Sequence, residues 1–60
     1  MKNMIMGFVN EGTKITISDD KVELTLTKDN ILKCNDNMVV VKDNNIVSWM
    51  QWKNVTYFKF

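Results

Sequence analysis

Four aromatic side chains, Trp49, Trp52, Tyr57 and Phe58, stand close in sequence to three lysines, Lys42, Lys53 and Lys59. Together these two residue types can bind nucleic acid: rings stack bases and ammonium groups hold phosphates. Alone, the rings can anchor a protein contact, because exposed Trp, Tyr, Phe and Met are the residue types that do so. The residues expected at a protein interface are therefore Trp49, Trp52, Tyr57, Phe58 and Phe60, with Met38 and Met50 as adaptable filler. If the ligand is nucleic acid or a nucleotide, the expected set is Lys42, Lys53, Asn54 and Lys59 with Trp52. Against both stands the ordinary use of aromatics in a small β domain, which is to fill its core.

Other chemistry is poorly served. The chain has no histidine, the usual general acid and base, and no evident base beside Ser18, Ser48 or Cys34. Cys34 shares an expected strand face with Leu32 and reads as a small buried hydrophobe, despite the lysine before it. Asp19-Asp20 and Asp36 fall in turn-type clusters, and Asp43-Asn44-Asn45 lacks the glycine and bidentate glutamate of a calcium loop. Gly7 and Gly12 make no phosphate-cradling loop. Asn54-Val55-Thr56 matches the glycosylation triplet, which has meaning only in a secreted protein. The expectation is a protein that is not an enzyme, with no catalytic residue, metal or cofactor.

The elements that position these residues follow a period of two. Ile15 and Ile17 flank Thr16, and Val22, Leu24 and Leu26 flank Glu23 and Thr25, which predicts strands with one dry face. Ser18-Asp19-Asp20-Lys21 between them is suited to a tight turn, so this region predicts a β-hairpin. Turn clusters recur at Asn10-Glu11-Gly12, Lys28-Asp29-Asn30, Asn35-Asp36-Asn37, Asp43-Asn44-Asn45 and Lys53-Asn54. The expected strands are 4–9, 13–18, 21–28, 31–34, 38–42, 46–52 and 55–60. Residues 46–52 also admit helical spacing through Ile46, Trp49, Met50 and Lys53, but their β-branched and aromatic content favours a strand. Lys-Asp-Asn turns between strands occur twice, at 28–30 and near 42–45, which shared turn chemistry explains without duplication. The expected fold is all-β: one domain, 1–60, a small antiparallel meander or SH3/Sm-like barrel of about five to seven short strands, with little or no helix.

Size and charge add a constraint. A chain of 60 residues buries only about 60 % of its unfolded surface, so its stability margin is thin. One cysteine and no histidine leave neither an internal disulfide nor an easy zinc site. Yet 38–41, 46–52 and 55–60 carry apolar residues on both faces, more than so short a chain covers alone. A homo-oligomer or a protein partner is therefore expected, with the free edge of the last strand as one place to pair. The formal net charge is +1, and all eight basic residues are lysines, which counts against a dedicated phosphate reader. Eight asparagines and no arginine fit the codon bias of an AT-rich genome. The apolar run at 4–9 is too short for a membrane span or a signal peptide, and the lone cysteine fits a reducing, cytoplasmic setting. Genes of this kind are common in phages and mobile elements, where they encode inhibitors of host or defence proteins.

One family resemblance runs from Val22 to Thr56. Val22-x-Leu24-x-Leu26-x-x-Asp29-Asn30-x-Leu32, then Asp36-Asn37-Met38-Val39-Val40-Val41, then Trp52-Lys53-Asn54-Val55-Thr56 resembles a shortened Sm-like sequence of the Hfq type. The resemblance implies a bent five-stranded barrel that assembles into a ring and binds RNA. It also implies a pocket to which Trp52 and Lys53 contribute as the family's aromatic and lysine. Asn54 stands where the family has histidine, the family's strand glycines are missing, and 1–12 does not read as its N-terminal helix. Two functions are thus expected in order: a non-enzymatic module binding another protein, then an Sm-like oligomer binding RNA, single-stranded nucleic acid or nucleotides.

Overall fold

The computed structural model describes all of residues 1–60. Its first element corrects the sequence reading: 4–9 is not a strand but part of a helix, α1, Lys2–Asn10. Ile5 and Val9, four residues apart, share one face and are fully buried, with Met6 partly buried beside them. That spacing is helical, and apolar residues on the outer face (Met4 and Phe8) disguised it as a β run. Gly12, at φ +100°, ends the helix. Its N–H donates to the Val9 carbonyl at 3.0 Å, and the Thr13 N–H donates to that of Phe8 at 3.0 Å. This is the paired bonding of a Schellman stop, which needs a residue at ease with positive φ.

The expected hairpin follows. β1, Ile15–Ser18, pairs antiparallel with β2, Glu23–Leu26, in the register Ile15 to Leu26 and Ile17 to Leu24. These four side chains are buried on one face, while Thr16 and Thr25 share a 3.2 Å hydroxyl hydrogen bond on the other. Val22 departs from the expected dry face because it lies in the turn and is exposed. Asp19 Oδ1 accepts the N–H groups of Lys21 and Val22, both at 2.7 Å, and so closes that turn.

A second antiparallel sheet is formed by β3, Ile31–Cys34, β4, Met38–Asp43, and β5, Ile46–Gln51, in that order. The ambiguous segment is therefore a strand as far as Gln51 and then a single 3₁₀ turn, Trp52–Asn54. Asn44 and Asn45, at φ 51° and 66°, make the two-residue hairpin between β4 and β5, a conformation asparagine tolerates better than most residues. The last strand, β6, is shorter than expected, Tyr57–Lys59, and lies on the free side of β1. The order of the first sheet is β2-β1-β6.

The fold is thus mostly β, six strands in two small antiparallel sheets with one short helix. Ile5, Val9, Ile15, Ile17, Leu24, Leu26, Val39, Val41, Met50, Trp52 and Val55 form the core between them. Buried Asn30 ties the sheets at one corner. Its Nδ2 donates to the Thr25 carbonyl at 2.8 Å and to Asp43 Oδ2 at 3.2 Å, its Oδ1 accepts the Thr27 N–H, and its carbonyl accepts the Lys42 N–H at 3.0 Å. No buried side-chain nitrogen or oxygen lacks a hydrogen-bond partner, as a settled core requires. No helix of the protein is long and apolar enough to cross a membrane.

Candidate protein-binding face

The outer face of the β3-β4-β5 sheet carries the largest exposed aromatic that the sequence singled out. Val39 and Val41 point inward from β4, so Met38, Val40 and Lys42 point outward. The register sets Val40 opposite Trp49 and Lys42 opposite Val47, which places Trp49 and Val47 on the same outer face. Trp49 is 60 % exposed and Val47 55 %. On the other side of β4, Ile31 pairs with Val41 and Cys34 with Val39, so Leu32 and Lys33 together face Val40 alone. This bulge turns both of their side chains outward. The result is a continuous band of Leu32, Val40, Val47 and Trp49, with the cations Lys33 and Lys42 and no carboxylate among these residues.

The same bulge corrects the reading of Cys34. Leu32 and Cys34 lie on opposite faces, with Leu32 57 % exposed and Cys34 partly buried against the core. Burial, first, and then the charge of Asp36 push the Cys34 thiol above its ordinary pKa, with Lys2 opposing them. A thiol so placed is a poor nucleophile at neutral pH.

The remaining residues singled out in the sequence are dispersed. Met50 and Trp52 are buried and present no ring or thioether at the surface; the Trp52 indole N–H donates to the Asn35 carbonyl at 3.0 Å. Tyr57 lies on the outer face of the other sheet, where its hydroxyl donates to Glu23 Oε2 at 3.3 Å. Lys59 reaches the same carboxylate oxygen at 3.6 Å. Phe58 packs partly against the core, and Phe60, 74 % exposed, meets the ring of Phe8 edge-on at 5.3 Å between centroids. With Met4 on the same side of α1, these two rings make a second apolar patch.

Lys53 and Asn54 are exposed on the 3₁₀ turn and line a polar cleft with Asp19, Asp20, Lys21 and Thr56. Two carboxylates in that cleft balance its two lysines, so it presents no net positive charge to a phosphate, and the buried Trp52 offers no stacking surface there. Lys42, Lys53 and Lys59 therefore sit in three different settings rather than one basic patch. No three of the cysteine and acidic side chains converge as metal ligands would.

Sequence reasoning missed Leu32, because a bulge carries no local signature, and Met4 and Phe8, because their i, i+4 spacing was read as a strand. Comparison with protein-family models, with curated proteins and with solved structures finds no match.

Proposed function

We propose that this protein is a non-enzymatic binding module that acts by protein–protein contact through the outer face of the β3-β4-β5 sheet. One observation carries the reading: Leu32, Val47 and Trp49 stand exposed on one sheet face with half-buried Val40 between them, an apolar band around a tryptophan, rimmed by lysines. Tryptophan in such a setting is the side chain that most often dominates an interface. The partner on this reading is a host or defence protein met in the cytoplasm, because very short, AT-rich genes of this kind are common in phages and mobile elements, where they encode such inhibitors. Self-association belongs to the same reading and is placed at the other apolar patch, Met4, Phe8 and Phe60.

The test is partner capture by the intact protein and by Trp49→Glu at low and moderate salt. Loss of capture with Trp49→Glu, with a shallow salt dependence for the intact protein in place of the steep one of phosphate binding, is the expected result. Capture undiminished by Trp49→Glu would overturn the reading.

Two observations favour the second reading, an Sm-like RNA binder. A helix, α1, precedes the first strand, as one does in that family, and Trp52–Asn54 form the turn directly before the last strand. On that reading binding weakens steeply with salt, and Lys53→Glu abolishes it. Binding with a shallow salt dependence, weakened but not abolished by Lys53→Glu, leaves only the protein-binding face.

A further inference from the structure

β5 ends its sheet, and the register shows which of its backbone groups face outward. Asn44 and Asn45 alone close the hairpin, so Asp43 and Ile46 form a hydrogen-bonded pair, and such pairs alternate along an antiparallel ladder. Val41 with Ser48 and Val39 with Met50 continue the series. The Trp52 N–H donating to the Asn37 carbonyl at 3.0 Å is its next member. The N–H and C=O groups of Val47, Trp49 and Gln51 therefore point away from β4, and no other backbone group of the chain takes them up.

An edge of this kind is a template for another extended chain, and native edges are commonly blunted by a lysine, a proline or a bulge. β5 reads Ile-Val-Ser-Trp-Met-Gln, pairs without a register shift and has none of these. At its flanks the cations Lys42 and Lys53 have no ion-pair partner, whereas Asp43, opposite Ile46, accepts from Asn30 Nδ2 at 3.2 Å. Lys42 stands opposite Val47, whose small side chain lets the ammonium reach over toward the edge. Lys53 follows the other end of the strand and borders a shallow cleft with Met38 and Gln51, where the Asp36 carboxylate is already held by Lys2 at 3.1 Å. Neither Lys42 nor Lys53 makes an ion pair; the two pairs present are Lys2 with Asp36 and Lys59 with Glu23.

We infer that an extended acidic segment of the partner adds to β5 as a fourth strand. It hydrogen-bonds Val47, Trp49 and Gln51, lays an apolar side chain against the Trp49 ring, and sets carboxylates beside Lys42 and Lys53. This rests on the protein-binding reading of the Trp49 face and gives the partner its chemistry. A second copy of β5 fits less well, because it would bring two lysine-bearing faces side by side.

The probe is a capped seven-residue peptide, Thr-Glu-Thr-Val-Thr-Glu-Thr (the glutamate–valine peptide), whose two glutamates and central valine share one strand face, titrated into the full chain with amide exchange followed residue by residue. Binding should slow exchange at Val47, Trp49 and Gln51 at least tenfold. A lysine–valine peptide should bind at least tenfold more weakly, and Lys42→Glu should narrow or reverse that preference. A glutamate–valine peptide methylated at alternate backbone nitrogens should not bind. Unchanged exchange at those three amides, equal affinity for the two charge types, or no binding at millimolar peptide overturns strand addition. If strand addition fails while Trp49→Glu still removes partner capture, the face stands and only its mode of recognition falls. Capture unaffected by Trp49→Glu removes both.

Discussion

Asp19 shows how much one short side chain fixes. Its carboxylate accepts two backbone N–H groups, those of Lys21 and Val22, and these bonds hold its pKa below the ordinary carboxylate value, with the Lys21 charge adding to them and slight desolvation opposing. A carboxyl group whose pKa is lower in the folded than in the unfolded chain stabilises the fold above its unfolded pKa. That contribution is lost as pH falls through the folded value. The β1–β2 turn should therefore contribute fully at pH 7 and fade below about pH 4. Asp19→Asn keeps an acceptor but cannot titrate. In urea unfolding, the advantage of the intact protein over Asp19→Asn should shrink as pH is lowered from 6 toward 2. A gap that stays constant across that range would show that the carboxylate charge contributes nothing to the turn.

At the scale of elements, α1 and the hairpins differ in how openly the sequence shows them. Ile15, Ile17, Leu24 and Leu26 alternate cleanly, and Asp43-Asn44-Asn45 is turn chemistry that a two-residue hairpin uses, so both hairpins were legible. α1 was not, because a nine-residue helix with apolar residues on two faces has no clean period. The pertinent signal was Ile5 with Val9, followed by Gly12 as a stop. The Trp49 face was half legible: apolar residues on both faces of 46–52 show in the sequence, but which face stayed open depended on where the other sheet packed. The helix also gives a sharp test. Ile5 is fully buried in the core, so Ile5→Ala should cost about 2 to 5 kcal/mol. A domain of this length has a total stability of about 3 to 9 kcal/mol, so that loss alone brings it near unfolding. Gly7 is exposed on the same helix, and a Cβ there would meet nothing within 4 Å. Gly7→Ala should stabilise by about 0.5 to 1 kcal/mol through helix propensity. Denaturant melts of the two variants measure both, and equal, small effects would mean that α1 is not docked on the sheets.

The whole molecule is divided almost evenly between apolar side chains it covers and apolar side chains it leaves open. Eleven form the core, while Met1, Met4, Phe8, Val22, Leu32, Ile46, Val47, Trp49, Tyr57 and Phe60 are exposed. Scattered exposed apolar residues are normal on any protein, so their number alone decides nothing. Their grouping does: Leu32, Val47 and Trp49 lie together on one sheet, and Met4, Phe8 and Phe60 lie together beside α1, on separate elements. Two patches allow two contacts at once, and the lysines distinguish them. The sheet face carries Lys33 and Lys42 and suits an acidic partner, whereas the α1 patch, with Phe8 and Phe60 already edge to face, suits a like surface of a second chain. Sedimentation at tens of micromolar should therefore give a mass above the 7.0 kDa of one chain. Phe8→Glu should return it to the single-chain value, because a buried unpaired carboxylate on each subunit opposes the contact. Trp49→Glu should leave the assembly intact, since that residue faces the other partner. A single-chain mass for the unaltered protein at every concentration would remove self-association and leave the Trp49 face as the one surface with a binding role. An assembly that Trp49→Glu dissolves and Phe8→Glu does not would instead assign the sheet face to the second copy and exclude the acidic segment from it.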